Sequence, residues 1–211
     1  MVDVVSFDLF GTLVDKRPVD YFWLELIPRL YAEERGLELE EARREVFSKY
    51  EDVGESDLRW YLPSFWIKEL GLKASLGELL AEIEPMMEVS EEVLRVLSRL
   101  STRYRLIVST NSSMEFAELA LKILDPEGEV FEKVYSCVSH LGIPKKTREF
   151  YEYVCADLGV DPRKVAHVGD DPVYDCAVPS SIGIRAYCLG SGERAVKNLE
   201  EFARLVDCAD C

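Results

Sequence analysis

Four short stretches of this sequence carry side chains able to do chemistry on a charged group. Asp8 follows the apolar run VVSF and is followed by Phe10 and Gly11, in SFDLFGTLVD. The run reads as a buried strand and the glycine as a sharp exit from it. A carboxylate there is costly to keep out of water, which makes Asp8 a candidate for catalysis. Thr110 and Asn111 close the strand RLIVST, and Lys145 and Lys146 stand side by side just before a helix starting near Thr147. Asp170, Asp171 and Asp175 follow the strand VAHVG. Together these residues offer a nucleophilic carboxylate, a hydroxyl donor, a cation and an acidic metal site. Each also has a plain structural reading: a turn or cap for Asp8, a helix cap for Thr110, surface charge for the lysines, and a solvated helix start for the acidic cluster. His167 reads as a satisfied strand histidine. Joint placement at successive strand ends, where ligands gather in a doubly wound sheet, favours the chemical reading for the other four.

The elements that must position them follow from periodicity. The first strand ends at Asp8, and a loop runs to about Pro18. From there to about Glu88 the pattern is helical throughout: Leu39, Ala42, Val46, Phe47, Tyr50 and Val53 recur at helical spacing, as do Leu76, Leu79, Leu80 and Ile83. Gly36 and Gly71 read as helix stops, and Pro28 as the site of a kink. Beyond this block Ser90 caps a helix carrying Val93, Val96, Leu97 and Leu100. Strands RLIVST, KVYSCV, VAHVG and IRAYCL then alternate with helices from about Met114, over Thr147 to Leu158, from near Val173 and over Glu193 to Val206. Such alternation implies a mostly parallel sheet covered on both faces, interrupted early by a helical insertion.

Composition narrows the partners. With 211 residues, 48% hydrophobic and 31% charged, the chain reads as a globular protein, either one large domain or a domain with a sizeable insertion. No apolar stretch reaches the ~20 residues a membrane span needs, and the N-terminus lacks the layout of a signal peptide, so the expected location is the cytoplasm. A net charge of −15 disfavours nucleic acid and anionic membrane surfaces as partners. It leaves room for a small anionic substrate, because a local cation reverses the field inside a cleft. The expected assembly is a monomer or homodimer. Most of the six cysteines read as buried small hydrophobes, and the terminal Cys208 and Cys211 as a structural disulfide or an inert tail rather than a redox pair. The absence of glutamine, with only two asparagines and abundant Glu, is the profile of a thermophile protein.

In order along the chain, FDLFGTL, LIVSTN, GIPKKTREFY and HVGDDPVYDCAVPSSIGI resemble the four motifs of the haloacid dehalogenase-like hydrolase superfamily, with a helical cap of type I. The resemblance covers nearly the whole length. It implies a Rossmann-like three-layer α/β core with a mostly parallel sheet over 1–16 and 89–211, and an inserted helical cap over 17–88. It further implies Asp8 as nucleophile and Thr110 as the phosphate-binding hydroxyl. Lys145 is taken as the cation, with Lys146 in the position the family usually gives to proline. Thr110, Asn111, Lys145 and Gly11 would hold the phosphate group of a small phosphorylated substrate. Mg²⁺ would be held by Asp8, the backbone carbonyl of Phe10 and Asp170, with Asp175 a ligand or a partner to the ligands.

Phe10 departs from the pattern. Most phosphatases of the family carry there an aspartate that protonates the leaving group, a contribution of ~10²–10⁴-fold. An aromatic at this position resembles the metal-free L-2-haloacid dehalogenases of the same superfamily. The acidic fourth motif argues the other way, because Asp8, Asp170, Asp171 and Asp175 crowd like charges together and make sense with a cation present. The leading expectation is therefore a Mg²⁺-dependent phosphatase working through an aspartyl-phosphate. The alternatives are a dehalogenase, with Arg17 the available cation for a carboxylate substrate, and a non-catalytic phosphate-ligand binder. The aromatic set Tyr21, Phe22, Trp23, Trp60, Tyr61, Phe65 and Trp66 reads mainly as core of the helical insert, with Trp60 or Tyr61 placed to touch a leaving group.

Overall fold

The computed structural model describes residues 1–192 and 194–208. Six parallel strands form one sheet in the order β3-β2-β1-β4-β5-β6. They are β1 (Val4–Phe7), β2 (Arg105–Thr110), β3 (Lys133–Ser136), β4 (Val165–Gly169), β5 (Arg185–Leu189) and β6 (Ala195–Val196). The central strands β1 and β4 are buried along their whole length, which explains why VVSF and VAHVG read as continuous apolar runs rather than alternating ones.

Side chains of β1 divide between two cores. Val5 and Phe7 pack with α6 (Glu91–Ser101), α7 (Met114–Leu124) and α9 (Leu199–Cys208), through residues such as Val96, Phe116 and Phe202. Val4 packs on the other face with Phe150, Tyr151 and Val154 of α8 (Arg148–Leu158). The result is a three-layer α/β core, as expected. Ser90 caps α6 through its hydroxyl on the Val93 N–H, also as expected.

Between β1 and α6 the ordered elements are all helical: α1 (Arg17–Tyr21), α2 (Ile27–Arg35), α3 (Leu39–Val53), α4 (Pro63–Glu69), α5 (Leu76–Ile83) and short turns between them. Next to Pro28, the expected site of a kink, the chain widens into a π-helical turn over Phe22–Leu26, directly before α2. Proline has no N–H to offer the carbonyl four residues back, and the wider turn bridges the interruption. Tyr50 and Trp66 pack edge to face at 4.5 Å, and Phe22, Trp23 and Phe116 form a second aromatic cluster that ties this insert to α7.

One expectation changes. The last helix starts at Leu199 rather than near Glu193, because Ala195–Val196 adds a short strand beside β5. A disulfide joins Cys176 and Cys188, while Cys208 is exposed; its expected partner Cys211 lies outside the described residues. No described helix is long and apolar enough to cross a membrane.

Candidate active site

The parallel register brings Phe7 level with Val108 on one side and Val168 on the other. The next residues, Asp8, Ser109 and Gly169, therefore meet at one edge of the sheet, with Thr110 and Asp170 one step further on. Asp8 is held by its own N–H, which donates to the Val168 carbonyl at 2.9 Å. At the tight exit Gly11 has φ +94°, and a Cβ there would lie 2.5 Å from Asp170 Oδ2. Only glycine lets the loop after β1 pass so close to the carboxylate that follows β4.

The cation of the site is Lys146. Its side chain is 1% exposed, and Nζ donates to Asp8 Oδ1 at 2.5 Å, to Asp175 Oδ1, and to the Ser109 carbonyl at 3.2 Å. Its backbone N–H donates to Asn111 Oδ1 at 2.8 Å, so Asn111 fixes the lysine loop. Lys145, expected in this place, points elsewhere. Its Nζ pairs with Glu55 at 3.3 Å and lies 5.3 Å over the Tyr61 ring and 5.4 Å from that of Tyr174. The reason is geometric: the loop turns tightly at Lys146, where the Thr147 N–H donates to the Lys145 carbonyl at 2.8 Å, and the Asn111 anchor commits Lys146 to the inside.

Asp175 reaches the site from a π-helical turn, Pro172–Ala177, that is entered from an Asp171 cap. Its Oδ1 also meets His167 Nε2 at 3.0 Å, and Oδ2 accepts from the Asp171 N–H at 3.2 Å. A Cβ on Gly169 would lie 2.3 Å from Asp175 Cγ, so this approach too depends on a glycine. His167 is fully buried, with Nδ1 2.8 Å from Ser6 Oγ and Nε2 3.2 Å from the Tyr151 hydroxyl, the satisfied strand histidine that its sequence position suggested. Tyr151, Ser109 and Ser6 carried no separate signal in the sequence, because they serve the site only through these contacts.

Burial pushes the Asp8 carboxyl up to about 7; Lys146 pulls against this and Asp175 adds to it. Burial pushes Asp175 up as well, but Lys146 and His167 outweigh it and hold this carboxylate below its usual range. The difference lies in the donors: Asp175 has several and Asp8 has chiefly Lys146. Burial depresses His167, leaving it neutral, and Asp170 is raised by partial burial and by Asp175. Lys146 stays charged, since Asp175 and Asp8 more than offset its burial.

Asp8, Asp170 and Asp175 each offer one oxygen, and these atoms lie within 4.8 Å of one another. Three carboxylates around one ammonium leave an excess of negative charge, and all-oxygen donors suit a hard divalent cation, so the residues present fit Mg²⁺. Above them opens a cavity of about 520 Å³, lined at its base by Asp8, Thr110, Asn111, Lys146, Asp170 and Asp175. Its walls include Phe10, Trp23, Tyr50, Trp60, Tyr61 and Phe116. Thr110 is buried, and its hydroxyl accepts from the Ser112 N–H at 3.0 Å. Gly11 and Lys145 are not among the residues lining this cavity. Arg17 is also absent from it, being paired with Asp15 at 2.8 Å and facing Glu88.

A strand-end aspartate bound to a buried lysine beside an acidic cluster is the arrangement of the haloacid dehalogenase-like hydrolases. The sequence profile of that family matches residues 2–183, and the chain belongs to it. The GMP/IMP nucleotidase YrfG of Escherichia coli K12 is 28% identical over 192 residues, covering 90% of this chain and 82% of that protein. An HAD phosphatase from Thermococcus onnurineus shares the fold at a TM-score of 0.81 and 24% identity, with 98% of each chain covered. A Bacteroides thetaiotaomicron HAD family enzyme, solved with magnesium and inorganic phosphate, shares it at a TM-score of 0.63 and 19% identity, with 91% and 96% covered. The chain is thus a hydrolase of this family, and YrfG is a phosphoric monoester hydrolase.

Proposed function

We propose that this protein is a Mg²⁺-dependent phosphatase of small phosphorylated metabolites, with residues 17–88 serving as a cap over the site. The observation that carries the reading is the charge balance at the cavity base: three carboxylates and a single buried ammonium. A phosphate dianion entering that field alone would be repelled, and a divalent cation makes the same field attractive. Bound Mg²⁺ would supply charge neutralisation for the phosphate, held by Asp8, Asp170 and the Phe10 carbonyl, with Asp175 beside them.

The side chains then have distinct tasks. Lys146 fixes Asp8 through Oδ1, leaving Oδ2 with only a long contact of 3.4 Å from Thr12. Asp8 attacks phosphorus, forming an aspartyl–phosphate bond as the ester oxygen departs. Thr110 and nearby backbone N–H groups hold the remaining phosphate oxygens. Water then cleaves the acyl phosphate, releasing phosphate and restoring Asp8. Phe10 offers no proton to the leaving oxygen, so esters whose leaving groups are stable as anions are the favoured substrates. The relationship to YrfG and the aromatic cavity walls make nucleoside 5′-monophosphates the first class to assay for recognition, although as alkyl esters they should turn over more slowly than aryl phosphates.

A second reading, a 2-haloacid dehalogenase, is favoured by Phe10 alone. It needs a cation for the substrate carboxylate, and among the described lining residues Lys146 is the one such group, already bound to Asp8 and Asp175. Hydrolysis of 4-nitrophenyl phosphate and guanosine 5′-monophosphate with Mg²⁺, abolished in Asp8→Asn and by a chelator, is the expected result. Halide release from 2-chloropropionate in the presence of the chelator would overturn the proposal.

A further inference from the structure

One buried oxygen at the cavity has no partner. Ser113 is 1% exposed, lines the cavity, and its Oγ is the sole buried side-chain polar atom without a hydrogen bond among the described residues. Its place in the fold makes this unusual. Ser113 occupies the N-cap position of α7, where a serine hydroxyl ordinarily accepts from the N–H groups of the first turn. Here the hydroxyl caps nothing, and the neighbouring Met114 N–H, the first of the helix, is satisfied by Ser139 Oγ from another segment at 2.9 Å. The first turn of α7 thus has a donor served from outside and a hydroxyl left over.

The surroundings say what the hydroxyl is for. On one side are Thr110, Asn111 and Ser112, the loop at the cavity base; on the other, Phe116 stands one helical turn away and packs on Trp23 at 5.8 Å. Ser113 therefore lies at the junction between the polar base and the aromatic wall. We propose that Ser113 Oγ is a specificity-determining hydroxyl that hydrogen-bonds a polar atom of the leaving group while its flat part rests on the Trp23–Phe116 wall. The substrate class is a phosphate monoester with a ring-bearing, uncharged leaving group that has a hydrogen-bonding atom near the ester. A second anion on the leaving group is excluded, because Asp20 and Asp171 line the cavity and Lys146 is its one cationic residue among those described. The inference deepens the phosphatase reading and rests on it for the position of the phosphate. A buried hydroxyl kept without a protein partner lowers the stability of the free protein and is repaid when substrate binds.

The test separates recognition from chemistry. In Asp8→Asn, guanosine 5′-monophosphate with Mg²⁺ should raise the unfolding midpoint more than inorganic phosphate does, and adding Ser113→Ala should remove most of that excess. In the active enzyme Ser113→Ala should lower kcat/KM for guanosine 5′-monophosphate by about 10- to 100-fold, the range for leaving one buried polar group unpaired. Phenyl phosphate, whose leaving group has no further polar atom, should change less than about 3-fold on the same principle. The Ser113→Ala protein without ligand should unfold no earlier than the wild type. Equal losses for both substrates, no loss for either, or an earlier unfolding would overturn the role of Ser113. Absence of turnover by the wild type, with the ligand-induced shift intact, would overturn the phosphatase reading alone.

Discussion

Replacing Lys146 by methionine tests the centre of the proposed site, because the apolar stem is retained and only the ammonium is lost. In the native protein that ammonium touches Asp8, Asp175 and the Ser109 carbonyl with 1% of its side chain exposed. Its removal leaves two buried carboxylates facing each other without a counter-ion. Breaking a buried pair in this way costs about 3–5 kcal/mol, a large share of a typical domain stability. The cost must depend on pH. Lys146 is raised above its ordinary 10.5, so its contribution is fully present at neutral pH and is lost only as pH rises through that higher value. Asp8, already raised to about 7 with Lys146 present, rises further once that lowering influence is gone. At pH 5 the variant relieves the repulsion by protonation; at pH 8 it does so only at a cost. Urea denaturation at both pH values should show the full loss at pH 8 and a clearly smaller one at pH 5, with Mg²⁺-dependent activity falling by at least ~10²-fold. Lys145→Met is the control. With Lys145 24% and Glu55 67% exposed, that pair should be worth about 0–1 kcal/mol. A Lys145→Met loss as large as that of Lys146→Met, or a Lys146→Met loss equal at pH 5 and pH 8, would refute the assignment of the buried cation.

Three further outcomes follow. Because Asp8 titrates at about 7 when folded and at 3.8 ordinarily, the metal-free protein binds this proton more tightly than the unfolded chain and should lose stability as pH rises between those values. Mg²⁺ must displace the proton, so its effect on the unfolding midpoint should be small at pH 5 and large at pH 8; a pH-independent effect would contradict the metal site. Wild-type enzyme should hydrolyse aryl phosphates far better than alkyl phosphates, and Phe10→Asp should narrow that ratio by at least ~10-fold, a part of what general acid catalysis contributes; an unchanged ratio would show that the proton comes by another route. Gly169→Ala places a methyl 2.3 Å from Asp175 Cγ, and should cost about 1–3 kcal/mol and reduce turnover; normal melting and turnover would show that Asp175 need not sit where it does.

Much of this was legible in the sequence for physical reasons. β1 and β4 lie in the middle of a parallel sheet, so burial on both faces wrote them as unbroken apolar runs. Ser90 announced α6 by cap chemistry that is local. Features decided by tertiary contacts were not legible. β6 has two residues and exists because β5 offers it an edge, so a helix pattern extended across it. Lys145 and Lys146 are identical neighbours, and what separates them is Asn111, 35 residues away, accepting from the Lys146 N–H. Ser113 looks like an ordinary helix cap until its hydroxyl is seen to cap nothing. The acidic motif marked Asp170 and Asp175 together, without showing how differently their oxygens are engaged.

That difference in engagement orders the site. Asp175 is ionised and can only accept, so the buried neutral His167 must carry its proton on Nε2, facing Asp175 at 3.0 Å. Nδ1 is then an acceptor, and the Ser6 hydroxyl at 2.8 Å donates to it. Ser6 also shares a hydrogen bond of 3.0 Å with Ser109 Oγ. The run of hydrogen bonds from Ser109 through Ser6 and His167 thus ends on Asp175 and stabilises negative charge there. A charged Asp175 keeps Lys146 protonated, and Lys146 in turn holds Asp8 Oδ1 in place. Asp8 has no such chain behind it and is the carboxyl on which a proton settles first when no metal competes. Asp175 is therefore better suited to position Lys146 than to give its oxygens to a metal, whereas Asp8 and the exposed Asp170 have oxygens to spare. Two carboxylates that look equivalent in HVGDDPVYD act on the two sides of the lysine: Asp170 toward the cation that would bind, Asp175 toward the cation already built into the chain.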